Sequence, residues 1–209
     1  ETVLGGDTVV LPGGKGANQA LAARRARAAD TLATPGSRSV TAFRADLQGL
    51  EVRRLIFITV EASGTPGRSK SFHDAYYGAM GRDNTIPDQI AGMKALAVRY
   101  PYIDIDRVGI WGHSGGGFAT TTAMFRFPEF FDVGIAESGN HDQRLYEDDW
   151  GERYQGLLTR NPDGTDNYEA EANQLLARNL RGKLLLAHGT MDSNVPPNNT
   201  LVVVDALIK

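Results

Sequence analysis

Short apolar runs alternate along the chain with stretches of helical period. Residues 55–60, Leu-Ile-Phe-Ile-Thr-Val, form a β-branched and aromatic run suited to a buried strand. Ile90, Met93, Ala97 and Tyr100 fall on one face of a helix predicted over 87–100 and ended by Pro101. A short strand over 108–111 follows, then a helix over 118–127 stopped by Pro128. Residues 133–136 read as another strand, 138–154 as a polar insertion carrying aromatics, and 169–180 as a helix. The strand 184–187 runs into a loop over 188–197. The tail from Asn198 to Ile208 is β-rich by propensity. Leu201, Val204 and Ile208 nonetheless recur at helical spacing behind Asn and Thr cap candidates, which predicts a helix. Strands alternating with helices predict an α/β fold with a mainly parallel sheet and flanking helices.

The first 33 residues differ in character. Val9-Val10-Leu11 leads into the glycine-rich segment 12–20, and an Ala/Arg-rich helix is predicted to about Ala29. A turn cluster, Thr34-Pro35-Gly36-Ser37, then opens the remainder. Two domains are therefore expected, 1–33 and 34–209.

Composition narrows the function classes. The 209 residues carry no cysteine and a net charge of −3. There is no disulfide framework, thiol nucleophile or Cys-based metal site. Charges of both signs are mixed, which gives no reason to expect nucleic acid as a partner. No apolar run approaches the roughly 20 residues of a membrane-spanning helix. Glu147-Asp148-Asp149 reads as a solvated face rather than a metal site, and no cofactor is implied. The chain begins at Glu1 without a signal-peptide pattern, so it is expected to be processed or cut from a longer frame, and the compartment stays open.

The chemistry centres on Gly112-His113-Ser114-Gly115-Gly116, a Gly-x-Ser-x-Gly turn between a predicted strand and a predicted helix. In that context the turn is a nucleophile elbow, with an exposed serine Oγ and backbone N–H groups at a helix start facing a developing oxyanion. Ser114 is the candidate nucleophile. Such a serine needs a base, and the base an orienting carboxylate. Asp192 lies on the loop after strand 184–187, at the carboxyl edge of the sheet where catalytic groups gather. All four histidines, His73, His113, His141 and His188, precede it. His141, in the insertion after strand 133–136, is the best-placed substitute base on sequence, against the plainer reading of a solvated loop histidine. His113 should point away from the serine, and His188 should pack.

From about Thr34 to Lys209 the chain resembles the catalytic domain of S9 serine peptidases, the prolyl oligopeptidase and dipeptidyl peptidase IV group. The motifs that carry the resemblance are Gly64-Thr-Pro-Gly-Arg68, the run 106–117, Glu152-Arg-Tyr-Gln-Gly156 and His188-Gly-Thr-Met-Asp-Ser-Asn-Val195. It implies an α/β-hydrolase fold, here incomplete, with Ser114 as nucleophile, Gly115 as an oxyanion-hole N–H and Asp192 as triad acid. It also implies that Asn194 holds a substrate carbonyl, and that Tyr146, Trp150 and Val195 line the pocket for the residue before the scissile bond. The family's histidine would lie roughly thirty residues past Asp192, in a segment the chain lacks. Its oxyanion tyrosine motif is replaced around Asp30 to Gly36, and the β-propeller has no counterpart. Separately, residues 12–20 resemble the N-terminal sugar-binding signature of ribokinase-type (PfkB) kinases, without those enzymes' C-terminal anion hole. A chimeric reading frame would account for both resemblances.

Two functions are thus expected. One is a serine hydrolase acting on small esters or peptides through an acyl-enzyme on Ser114. The other is a catalytically inactive S9-derived fragment serving as a binding or structural module. Exposed strand edges would favour a homo-oligomer.

Overall fold

The computed structural model describes residues 55–209 apart from Asn84, together with the strands β1 (Thr2–Leu4), β2 (Val9–Leu11), β3 (Ala26–Leu32) and β4 (Val40–Ala45). The chain divides into two compact units, residues 1–62 with 91–103, and residues 63–90 with 104–209.

In the first unit β1 and β2 pair antiparallel. A second antiparallel sheet runs β3-β4-β5, where β5 is Leu55–Val60 and Val40 stands opposite both Leu32 and Val60. Val60, Ala62 and Leu96 form its core, with Ile58, Tyr100 and Ile103 packed around them. Leu96 comes from helix α1 (Ile86–Arg99), close to the span that its hydrophobic spacing predicted. The Ala/Arg-rich stretch expected to be helical to about Ala29 is instead strand from Ala26. Alanine and arginine favour a helix by only tenths of a kcal/mol per residue, and pairing with β4 along β3 outweighs that preference. The kinase-like segment 12–20 and the Pro35-Gly36 turn lie outside the described residues.

The second unit holds a parallel sheet, β6 (Gly109–His113), β7 (Val133–Glu137) and β8 (Lys183–Ala187), in that order. Gly109, Val133 and Lys183 are level at one edge, and His113, Glu137 and Ala187 at the other. Helix α2 (Gly115–Arg126) lies against β6 and β7. Its Phe118, Ala123, Met124 and Phe125 are wholly buried. Small residues in β7 admit it: a Cβ on Gly134 would come within 2.7 Å of Met124 Cγ. The helix stops at Phe127, as Pro128 requires.

The stretch 169–180, expected as one helix, forms two 3₁₀ segments, Glu169–Glu171 and Asn173–Asn179, parted by an extended Ala172. Asn173 explains the break, because its buried amide is committed to α2: Nδ2 donates to Phe118 O at 3.1 Å and Oδ1 accepts from Thr122 Oγ1 at 2.9 Å. The insertion after β7 contains the 3₁₀ turn Gln143–Leu145 and helix α3 (Asp148–Gln155). The tail forms helix α4 (Asn198–Ile208), as its spacing predicted, though not by the expected capping. Asn199 is buried and ties the helix to the insertion, accepting from Asp142 N–H at 3.0 Å and donating to Leu145 O at 2.9 Å.

Candidate active site

The carboxyl edge of the parallel sheet gathers the site. Directly after β6, Ser114 sits at φ 59° and ψ −124°, and α2 begins at the next residue. This conformation is costly for a side chain bearing a Cβ, and the surroundings enforce it. Ser114 N–H donates to Glu137 O at 2.9 Å, and Gly117 and Phe118 N–H groups bond back to Ser114 O. Two glycines make the turn sterically feasible. A Cβ on Gly112 would run into the carbonyl of Gly116 and come within 2.8 Å of its Cα, and one on Gly117 would lie 2.5 Å from Glu137 O. Gly116, the last residue of the signature, has open space where a Cβ would be. Gly115 is the first helical residue, so its N–H has no partner four residues back in α2 and is available to an oxyanion.

Past the end of β7, Ser138 N–H bonds Ala187 O at 2.8 Å, which extends the ladder by one step beside Ser114. Ser138 also has a positive φ, 44°, and its side chain bonds Asp192. The Asp192 carboxylate is held in its own loop, with Oδ1 accepting from the N–H groups of Asn194 and Val195, each at 3.0 Å. The Val195 bond first, then those of Asn194 and Ser138 and the nearby His188, hold its carboxyl below the usual range. Ser138 escaped the sequence reading. Its position at a strand end level with Ser114 and Asp192 was the available signal.

The histidines fall into place differently from expectation. His141, read as a solvated loop residue or a substitute base, is wholly buried. Its Nδ1 lies 3.2 Å from Asn173 Nδ2. The ring edge fills the space where a Cβ of Gly139 would stand, 2.7 Å from Nε2 and 2.9 Å from Gly117 C. Its Nε2 has no hydrogen-bond partner. Burial, with His188 nearby, pushes its pKa down to about 4. Among the described residues no side chain hydrogen-bonds Ser114 Oγ, so His141 is not within bonding reach as a base. Glycine at 139 leaves the room that the imidazole edge occupies. His188 packs as expected: Nδ1 is 2.7 Å from Thr200 Oγ1, and Nε2 is 2.9 Å from Val195 O and 3.5 Å from Asp192 Oδ2. His113 is exposed, its Nδ1 3.8 Å from Glu137 Oε2.

Aromatic side chains build the wall. A Cβ on Gly115 would be 4.0 Å from Trp150 Cζ2, which puts the indole beside the elbow. Trp150 meets Tyr146 at 5.6 Å and Tyr154 at 4.6 Å between ring centroids, and Tyr154 meets Tyr76 at 5.6 Å. Positions 146, 150 and 154 share the i, i+4 side of α3 and the turn before it, a spacing legible in the sequence although Tyr154 and Tyr76 were overlooked. Tyr146 OH donates to Asn194 Oδ1 at 3.1 Å, which joins the wall to the Asp192 loop. Burial, then Glu147, raises the Tyr146 pKa. Val195 is buried and contributes its backbone to the loop. Among the described residues no group of three or more His, Cys, Asp or Glu side chains could hold a metal ion.

The model of the prolyl oligopeptidase family, peptidase family S9, matches residues 41–209. The chain belongs to that family. Proteins named "Probable dipeptidyl-aminopeptidase B" from Paracoccidioides brasiliensis and Emericella nidulans are each 36% identical over 177 residues, covering 83% of this chain. The chain spans 19% of the length of those relatives. Among solved structures, dipeptidyl peptidase 4 of Porphyromonas gingivalis superposes with a TM-score of 0.71 at 24% identity, over 95% of this chain and 32% of that one. At that identity the likeness speaks for the fold, an α/β-hydrolase fold with a parallel sheet and flanking helices. The prolyl oligopeptidase family match begins within β4, one strand after the segment that the sequence set apart, and β3 and β4 are hydrogen-bonded neighbours.

Proposed function

We propose that the chain is a serine hydrolase that cleaves carboxylic esters through an acyl-enzyme on Ser114. The observation that carries this reading is the strained Ser114 backbone, held between β6 and α2 with the Gly115 N–H free of helix bonding. Family membership supports the reaction class. Attack by Ser114 Oγ on the ester carbonyl forms a tetrahedral oxyanion facing Gly115 N–H. Collapse expels the alcohol and leaves the acyl group on Oγ, and water then releases the acid. The Trp150 and Tyr146 faces would receive an apolar acyl group, with Asn194 as a donor to its carbonyl.

Asp192 is read as the triad acid, yet none of the four histidines joins it to Ser114. In these 209 residues the serine therefore works without a paired base. Oxyanion and binding contributions alone give about 10³-fold over water. Esters with good leaving groups are favoured, since they need little proton donation. Removal of dipeptides from an amino terminus is the activity in the relatives' names, and those proteins are far longer; for this chain the proposal stops at acyl transfer. The buried, bonded state of His141 and His188 favours a second reading, a binding module without turnover.

Hydrolysis of a p-nitrophenyl ester series, compared with Ser114→Ala, tests the reading. Turnover lost in the variant supports the hydrolase. Equal rates in both proteins would favour the binding module.

A further inference from the structure

A cleft of about 590 Å³ in the second unit lies away from Ser114. Its walls include Phe125 and Pro128 at the end of α2 and Leu176 of the 3₁₀ segment, and its charged residues are Arg82, Arg126, Arg178, Arg181 and Glu129. Pro128 lies just before β7 and Arg181 just before β8, so the cleft sits at the amino edge of the parallel sheet. Ser114 follows the carboxyl end of five-residue β6, so roughly 16 Å of strand separates the two. Ligands of open α/β sheets gather at the carboxyl edge, and the fold's usual site does not account for this cleft.

Charge distinguishes it. Four arginines face one glutamate in a chain whose net charge is −3. Arg107 and Arg144 have carboxylate partners elsewhere in the unit. Arg82, Arg178 and Arg181 have no ion pair among the described residues. Arg126 is anchored by a 2.8 Å bond from Nη2 to Ala170 O, and its buried Nε has no acceptor. The C-terminal ends of helices favour cations, which accounts for Arg126 and Arg178 in the last turns of their helices. Arg181 lies beyond both. Guanidinium groups present forked donors that match phosphate and carboxylate oxygens two at a time. A cavity of this volume falls in the range of small-ligand sites, about 300–1,000 Å³.

We infer that this arginine cleft binds a small polyanion, a molecule carrying two or more phosphate or carboxylate groups, at a site separate from Ser114. Arg178 and Arg181 supply the exposed forks, and Arg126, anchored at Ala170 O, supplies a fixed charge in the same lining.

The test is isothermal titration of the full chain with inorganic pyrophosphate, and in a parallel arm with citrate, at ionic strength held constant with sodium chloride. The Arg178→Ala/Arg181→Ala double variant is compared with Arg160→Ala, an exposed arginine elsewhere. Circular dichroism checks that each variant is folded. Saturable binding by the wild type, weakened at least about tenfold in the double variant and unchanged in Arg160→Ala, is expected; about 1.4 kcal/mol underlies each tenfold. Which arm binds more tightly tells phosphate from carboxylate chemistry. No saturable heat in either arm, or equal weakening in Arg160→Ala, would overturn the inference. Single Arg178→Ala and Arg181→Ala variants replace the double one if it fails to fold, and unchanged binding in both overturns it equally.

Discussion

Lowering the pH should unfold this protein through one residue in particular. His141 is held neutral in the interior, its pKa depressed from 6.5 to about 4 by burial and then by His188. The unfolded chain takes up the proton near the ordinary histidine value, whereas the folded chain resists until about pH 4. Stability from neutral burial is therefore complete above pH 6.5 and declines as pH falls through the window down to about 4. At 1.36 kcal/mol per pH unit the full loss is about 3.4 kcal/mol, a large share of a typical domain's 5–15 kcal/mol. Asp142 and Asp192 also lose stabilisation in acid, but their carboxyls are held low, so their window opens only below 3.8. Urea unfolding of wild type and His141→Gln across this range separates the two effects, since the carboxylate contribution is common to both proteins. The wild type should lose about 3 kcal/mol more than the variant on going from neutral pH to pH 4. Parallel curves would refute the claim that a neutral buried imidazole is held there.

Further outcomes follow from the same packing. Gly112→Ala should abolish labelling of Ser114 by a fluorophosphonate probe, because the new Cβ meets Gly116 backbone; Gly116→Ala should label like wild type, having open space. Arg144→Met should lower stability in urea by about 3–5 kcal/mol, since it removes the cation paired with Asp142, whose side chain is 4% exposed and keeps only neutral bonds from Gln174 and the residue-144 N–H. Asn173→Ala should cost about 2–4 kcal/mol in the same assay, leaving the His141 ring without a polar partner and removing the amide that links it to Phe118 O.

Much of the fold was legible because local signals and packing agree. The apolar runs at 55–60, 133–136 and 184–187 became β5, β7 and β8, and Pro128 stopped α2. Legibility failed where one partner decides the outcome. Ala26–Leu32 is strand because β4 lies beside it, and no pattern within those seven residues announces it. The stretch after Glu169 is 3₁₀ because the amide of Asn173 reaches α2. At the site, the serine and its glycines were readable from a steric rule, although Gly117 rather than Gly116 proves to be the crowded one. His141 read as solvated because it lies in a polar insertion, and its neighbours Asn140, Asp142 and Gln143 are polar too. They are buried because each meets a partner distant in sequence or, for Asn140 and Gln143, each other.

The central claim is that Ser114 is a working nucleophile. The most direct measurement mixes the purified chain with p-nitrophenyl acetate, quenches in acid and reads the peptide containing Ser114 by mass spectrometry. An acetyl adduct on Ser114 that forms in the wild type, decays with turnover and is lost in Ser114→Ala is the predicted result. Acetylation confined to lysine side chains, at the same rate in both proteins, would contradict it.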